Sequence, residues 1–545
     1  MKRVAWLIAL GSVPLFGLGA IGLVDYDESA YGDVARTMLT TGDWLAPKLC
    51  GAPFFEKPPL LYWSAALGMK LLGVGPAGVR LFTALAGLAA PLVLFGFARR
   101  PLGERAAFLA ALALASALEF AALARLAYTD MLLLLWLSVC VGALHRAFES
   151  ERGGLGWFAL ASGASALAVL TKGAIGFLLP GAAALVELWL RGRLRDALRP
   201  SWLAVGVPIV VGLGFSWYLA LGAAQGFAFM RDLFLEHHVG RFSAPMQGHG
   251  GSVLYYVPVL LVGFFPWSAF APLAVARAGF AAGDERARLL RLFALFSAVT
   301  FALFSAAGTK LPNYILPALP GLALLVGALL AQPPRGRDRP LAVAFGFTLG
   351  LVALLAAALA LLPEAGTRAA GWLGARAERQ PGLAGGLALG PWPAAAALAL
   401  AAGGALAAAS WRARRRAALA ALAVGAVSAY TFVFQGIARR VDAQLAAPLR
   451  RLAEQAAVIV PPDQAIAMLG LRHRSSVCFA AERATVYASV EDEKRIDALL
   501  FAGAGARVGI TGEPQLARFP GRERLAVLAR DGGYVLFAAE PGTPP

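Results

Sequence analysis

Apolar runs of about 20 residues recur along this chain, separated by short stretches where arginines cluster. A run of that length is what a helix needs to cross a hydrocarbon core of roughly 30 Å. The strand alternation of an outer-membrane barrel is absent. The opening run, "MKRVAWLIALGSVPLFGLGAIGLV", exceeds the apolar stretch of about 7–15 residues in a secretory signal, so it reads as an uncleaved first span. Basic clusters punctuate the runs at Lys2–Arg3, Arg99–Arg105, Arg146–Arg152, Arg191–Arg199, Arg277–Arg291, Arg335–Arg339 and Arg412–Arg416. Read as cytoplasmic loops, they predict about thirteen transmembrane helices, with the C-terminus outside.

The outside segments are then 25–78, 124–128, 171–174, 225–251, 308–314, 363–390 and everything after about 437. Within the first, "YGDVARTMLTTGDW" and "PPLLYWSAALGMKLL" read as amphipathic helices lying at the interface, and 366–381 reads as a third. From 438 to 545 the pattern changes to short β-type runs ("QAIAMLGL", "SVCFAA", "ATVYAS", "ARVGITG", "GYVLFAA") between helical ones ("PLRRLAEQAA", "DEKRIDALLFAG"). The predicted fold is a polytopic α-helical membrane domain over 1–437 followed by a small α/β periplasmic domain. The latter carries no Gly-rich phosphate loop and no metal-ligand cluster, so no chemistry is assigned to it.

Composition agrees: 59% of residues are hydrophobic, 15% are charged, and mean hydropathy is +0.67. A net charge of +17 does not indicate nucleic acid, because the arginines sit in loops between spans. Membrane lipid is their partner. Cys50, Cys140 and Cys478 are far apart without CxxC spacing, and predict neither a disulfide framework nor a zinc site.

With this topology the unusual ionisable residues gather on the outer face. The first outer loop holds Asp25, Asp27, Glu28, Asp33, Asp43, Glu56 and Lys57; beyond it come Arg125 and Asp130, Lys172, "EHHVGRF" (Glu236, His237, His238, Arg241), and "GTKLPNYILP" with Lys310 and Tyr314. Each has an ordinary structural reading alone. Asp130 would cap a helix, the lysines would reach headgroups, the histidines would be loop residues, and Lys57 would pair with Glu56. Their convergence at membrane depth points instead to function. Lysine and arginine hold a carrier phosphate and stabilise it as a leaving group, while a carboxylate positions or deprotonates an acceptor, or holds a divalent cation with a histidine. Outside the cytoplasm an activated sugar must arrive on a lipid.

The stretch "DYDESAYGDVARTMLTTGDWLAPKLCGAPFFEKPPLLYW" resembles the first outer loop of bacterial lipid-A 4-amino-4-deoxy-L-arabinose transferases, which are GT-C glycosyltransferases related to protein O-mannosyltransferases. Asp27-Glu28 with Tyr31, "GDW" at 42–44, "FEKP" at 55–58, "TD" at 129–130, "LTKG" at 170–173 and "KLPNYILP" at 310–317 carry the likeness. The resemblance implies that Asp27 is the catalytic loop carboxylate, with Glu28 beside it and Asp130 as its partner. It implies that Lys57, Arg241 and Tyr314 hold the carrier phosphate, with Lys172 and Lys310 counted among the same cations. Glu56 and the His237–His238 pair match a divalent metal site; no nucleotide or organic cofactor is expected. Tyr31 and Phe54 lie where sugar or acceptor is read. Two departures occur there: Ala30 replaces a usual arginine, and Phe54 a frequent tyrosine.

The expected function is transfer of a sugar, an aminopentose in the family resembled, from undecaprenyl phosphate to lipid A or another envelope acceptor at the periplasmic face of the bacterial inner membrane. A protein O-glycosyltransferase is the alternative acceptor reading. A lipid or sugar transporter is the alternative class, but transporters place ionisable sites near the midplane and show repeats.

Overall fold

The computed structural model describes residues 2–150, 154–228, 240, 250–333, 338–373, 380–383, 386–490, 492–501, 507–519 and 521–539. Among these, eight helices are long and apolar enough to cross a membrane, or ten if each of two bent pairs is one span. The bent pairs are Pro200–Gly214 with Ser216–Gln225, at 45°, and Tyr256–Gly263 with Ser268–Ala276, at 117°. The longest helix, Pro76–Ala115, is broken at Gly103, whose φ of 77° suits glycine, two residues after the helix-breaking Pro101.

The polar groups sort to two ends of the bundle. Helix Thr129–Glu149 has Asp130 in its first turn and Glu149 as its last residue. At about 1.5 Å per residue they lie roughly 28 Å apart, the thickness of a hydrocarbon core. Around Glu149 the arginine clusters find their counter-charges: Arg191 and Arg288 pair with Glu149 at 2.6 and 2.5 Å, Arg291 with buried Glu187 at 2.7 Å, and Arg146 with Glu285 at 3.2 Å. Removing one partner of such a buried pair strands a charge, so these contacts fix how the helices meet.

Helix Asp27–Thr41 and helix Leu60–Leu72 form where interfacial helices are predicted. The second packs backbone-to-backbone on Pro76–Ala115: a Cβ added at Gly68 would lie 2.1 Å from the Gly78 carbonyl oxygen. The surface helix expected from 366 is instead a continuation of helix Arg339–Leu373 as far as its end.

After helix Arg415–Phe432 the chain runs through Ala438–Leu445 into a compact α/β unit. Its five-stranded sheet has the order Thr485–Ala488, Ile466–Leu469, Val508–Gly512, Tyr534–Ala539, Leu525–Asp531; the first two pairings are parallel and the last two antiparallel. Leu525–Asp531 is a strand that the pattern did not suggest. "SVCFAA" is not a strand but lies in helix Ser475–Ala481. A short apolar run does not distinguish the two by periodicity, and here the decision is tertiary. Asp25, from the first outer loop, accepts from the Ser476 backbone N–H (2.9 Å) and its hydroxyl (2.6 Å), capping a helix whose own N-cap residue, Arg474, supplies no side-chain cap.

The same helix is bonded to that loop. Cys50 and Cys478 form a disulfide across 428 residues, correcting the expectation of none. Sequence distance says little about spatial distance. Since disulfides persist in oxidising compartments, the bond also argues that the first outer loop and the C-terminal unit share one side of the membrane.

Candidate active site

Three motifs that are distant in sequence meet at the end of the bundle opposite the arginine network. Asp130 Oδ1 accepts from Lys172 Nζ at 2.5 Å, and its Oδ2 from Asn313 Nδ2 at 2.8 Å. The Lys172 ammonium also lies 4.5 Å from the centroid of the Tyr314 ring. Asp130 is therefore no N-cap; its carboxylate joins spans. Asn313 was not singled out from the sequence, because an amide in "KLPNY" signals nothing until its carboxylate partner is known. Lys172, expected among the phosphate-holding cations, is engaged with Asp130. Arg125, one turn before Asp130, turns away to the Ala121 and Val13 carbonyl oxygens and stacks on Phe434.

The first outer loop brings its own carboxylates to the same place. Asp27 opens helix Asp27–Thr41 and is half-buried, as are Glu56 and Lys57. The hydrogen bond from the Ala127 N–H to Glu28 (2.8 Å) ties the start of that helix beside the segment that leads to Asp130. Burial raises the Tyr31 phenol well above its ordinary pKa, and Asp27, Asp130 and Glu56 push it the same way. Burial, then Glu56 and Asp27, raise Tyr26 to about 12 and also raise Tyr62. Burial raises Tyr128, with Asp27, Glu28 and Asp130 adding to it. The phenols are thus kept neutral by burial and by nearby carboxylates, and the Tyr31 and Tyr62 rings lie 5.8 Å apart. The Tyr62 hydroxyl is buried without a hydrogen-bond partner among the described residues. Sequence reading missed Tyr62 and Tyr128, since an aromatic beside an apolar run reads as core.

Two expectations are corrected by saturation. Glu28, expected as a catalytic carboxylate, is fully buried, and its oxygens accept from Arg80 Nε (2.7 Å), Arg80 Nη2 (2.6 Å), the Val24 N–H (2.9 Å) and the Ala127 N–H (2.8 Å). A carboxylate has about four acceptor positions, and all are occupied. Lys310, expected at a phosphate, directs its ammonium to the carbonyls of Ala307 (2.6 Å), Ser305 (2.7 Å) and Phe304 (3.4 Å) at the end of helix Glu285–Ala306. Its three donors are spent on that helix terminus. Phe54, expected to read sugar, is buried in the apolar core. Tyr31 is also buried, against the Tyr62 ring.

Glu236, His237, His238 and Arg241 lie outside the described residues. Of the expected metal ligands only Glu56 is described, and among the described residues no group of three or more His, Cys, Asp or Glu is arranged to hold a metal ion.

Residues 56–218 match the family model for dolichyl-phosphate-mannose-protein mannosyltransferases. An undecaprenyl phosphate-alpha-4-amino-4-deoxy-L-arabinose arabinosyl transferase of Pseudomonas paraeruginosa is 34% identical over 368 residues, covering 66% of each chain. The chain thus spans just under two thirds of the length of that relative in sequence alignment. In three dimensions, ArnT from Cupriavidus metallidurans bound to undecaprenyl phosphate superposes with a TM-score of 0.81 at 24% identity over 99% of both chains. The oligosaccharyltransferase AglB from Archaeoglobus fulgidus gives 0.52 at 12% identity, over 94% of this chain and 69% of that one. Sequence likeness, shared fold and a set of membrane-length apolar helices agree: the chain is similar to mannosyl- and arabinosyltransferases and has the fold of ArnT.

Proposed function

We propose that this chain moves a sugar from undecaprenyl phosphate to lipid A, or to another cell-envelope acceptor, at the periplasmic face of the inner membrane. The observation that carries this reading is the meeting of Asp130, Lys172, Asn313 and Tyr314 at one membrane end, with the start of the Asp27 helix tied beside them by the Ala127 N–H to Glu28 hydrogen bond. It is supported by likeness to proteins whose names specify undecaprenyl phosphate as carrier. In the proposed reaction an acceptor oxygen attacks the anomeric carbon. The bond from that carbon to the carrier phosphate breaks, and the phosphate leaves with the electron pair. Lys57, Tyr314 and Arg241 would hold that phosphate and stabilise its charge as it develops. Asp27 would orient or deprotonate the acceptor. Asp130, held by Lys172 and Asn313, would keep the opposite wall in place. A divalent ion at Glu56 belongs to the same reading, but no step above depends on one.

Mass spectrometry of lipid A and of envelope glycoproteins, with and without the gene, tests the proposal. A lipid A species heavier by one sugar residue, present only with the gene, is the expected result. A glycan lost from envelope proteins instead would favour the protein-acceptor reading, to which the mannosyltransferase family match lends support. No change in either fraction would refute transfer.

The thirteen-span topology is part of the proposal. Counting each bent pair as one span, dividing Pro76–Ala115 at Gly103, and adding the shorter apolar helices Arg3–Leu15 and Ile175–Leu190 arrives at that number. The 117° pair is supported as a crossing by its ends. The Tyr256 hydroxyl donates to the Leu311 carbonyl near the candidate site, whereas Arg277 pairs with Asp338 at the arginine end. A reporter fused after Arg416 should score cytoplasmic, and one fused at the C-terminus periplasmic. Both on the same side would overturn the count.

A further inference from the structure

At the arginine end, a cavity of about 970 Å³ is lined by Arg105, Arg339, Arg412, Arg414, Arg415 and Arg416. The acid on its wall, Asp338, is already engaged by Arg277 through two hydrogen bonds, at 2.6 and 3.0 Å. Among the described residues none of the six arginines forms an ion pair, and Arg105 Nε is buried without a hydrogen-bond partner. Elsewhere at this end the arginines have internal carboxylates, as around Glu149 and Glu187. Here six cations share one carboxylate, Asp338, which acts on Arg415 but is already hydrogen-bonded to Arg277, so the cavity carries an excess of positive charge that favours an anion. The wall is stiffened by Trp411, which stacks on Phe345 with centroids 3.9 Å apart and lies 5.0 Å beneath the Arg415 guanidinium.

A second, independent feature adjoins it. A groove of about 390 Å³ shares Arg105 and Arg416 with the cavity and is otherwise mostly apolar, with Trp6, Leu10, Phe108, Leu112 and Leu419 along it. It runs between helix Lys2–Gly11, the part of Pro76–Ala115 beyond Gly103, and helix Arg415–Phe432. A preference for positive loops explains arginines on this side. It does not explain a cationic cavity that shares two arginines with an apolar furrow between three helices.

We propose that this end binds an anionic phospholipid of the adjacent leaflet, with its phosphate among Arg105, Arg415 and Arg416 and an acyl chain in the groove. Basic pockets between transmembrane helices take acidic headgroups on charge alone; the groove adds a requirement for a chain. The site is remote from the candidate active site and does not depend on the transferase reading.

The test uses the full chain, purified and delipidated in detergent, with native mass spectrometry and thermal melting as readouts. The probes are phosphatidylglycerol, phosphatidylcholine and inorganic phosphate. Phosphatidylglycerol should be retained and raise the melting temperature, with phosphatidylcholine at least about tenfold weaker and inorganic phosphate without effect. Arg105→Gln with Arg416→Gln removes two charge-assisted contacts and should weaken phosphatidylglycerol more than tenfold. Ala420→Trp, which fills the groove but keeps every arginine, should weaken it as well. Equal retention of the two lipids would reduce the feature to an apolar furrow and overturn the proposal. Stabilisation by inorganic phosphate as strong as by phosphatidylglycerol would make it an ion site and overturn it too, as would unchanged affinity in both variants. If a variant fails to fold, the comparison of the three probes on the parental protein still decides.

Discussion

Replacing Asp27 by asparagine is expected to lower sugar transfer by at least about a hundredfold, the low end of what a positioned general base contributes. Expression and melting temperature should stay near the parental values. Three other carboxylates lie within a few residues, and any of them would rescue activity if only negative charge were needed. The structure commits all three elsewhere. Asp25 caps helix Ser475–Ala481 through Ser476 and also accepts from the Ser29 hydroxyl at 2.7 Å. Glu28 is saturated by Arg80 and two backbone amides. Asp33 accepts from Arg36 and from the Cys50 N–H, both at 2.8 Å. Asp27 is half-buried at the start of the same helix, and its charge helps raise Tyr26, Tyr31, Tyr62 and Tyr128. Asparagine keeps its shape and removes its charge and basicity. An Asp27→Asn enzyme that transfers sugar at the parental rate, measured with purified protein and lipid-linked donor, would end the assignment.

The second large effect is on stability. Arg80→Met should cost about 3–5 kcal/mol, the usual result of removing one partner from a buried pair. Against native margins of about 5–15 kcal/mol this is severe. Arg80 is 1% exposed and uses every donor it has: Nε and Nη2 on Glu28, Nη1 on the Leu18 and Ile21 carbonyls, and Nη2 also on the Gly22 carbonyl. Methionine fills much of the volume but strands the Glu28 charge and three carbonyl oxygens. A fall in detergent-solubilised yield and in melting temperature is expected. Glu28→Leu with Arg80→Met, which removes both charges, should recover part of the loss. A single Arg80→Met variant that melts with the parent would show that the pair is not what anchors the loop to the bundle.

Much of the molecule was legible before any coordinates. Apolar runs and arginine clusters are one-dimensional signals, because the bilayer imposes length and sidedness on each segment separately. They located the apolar helical bundle and predicted helices where Asp27–Thr41 and Leu60–Leu72 form. They also gathered the ionisable residues on one face, where Asp130, Lys172 and the segment 310–314 do meet.

Which partner each of those residues takes was decided by the fold. Glu28 reads the same as Asp27 until Arg80, 52 positions on, takes up its oxygens. Lys310 reads as a headgroup cation until it folds back on the last carbonyls of the preceding helix. Cys50 and Cys478 read as lone thiols, and "SVCFAA" as a strand, until the loop and the C-terminal unit meet and Asp25 supplies the missing cap. The physical reason is the same in each case. Hydropathy belongs to a segment and survives in the sequence, whereas a hydrogen bond, an ion pair or a disulfide belongs to two atoms brought within about 3 Å by the whole fold. Residue type and local pattern therefore determined where ionisable groups gather, and only tertiary contact decided which partners each of them takes.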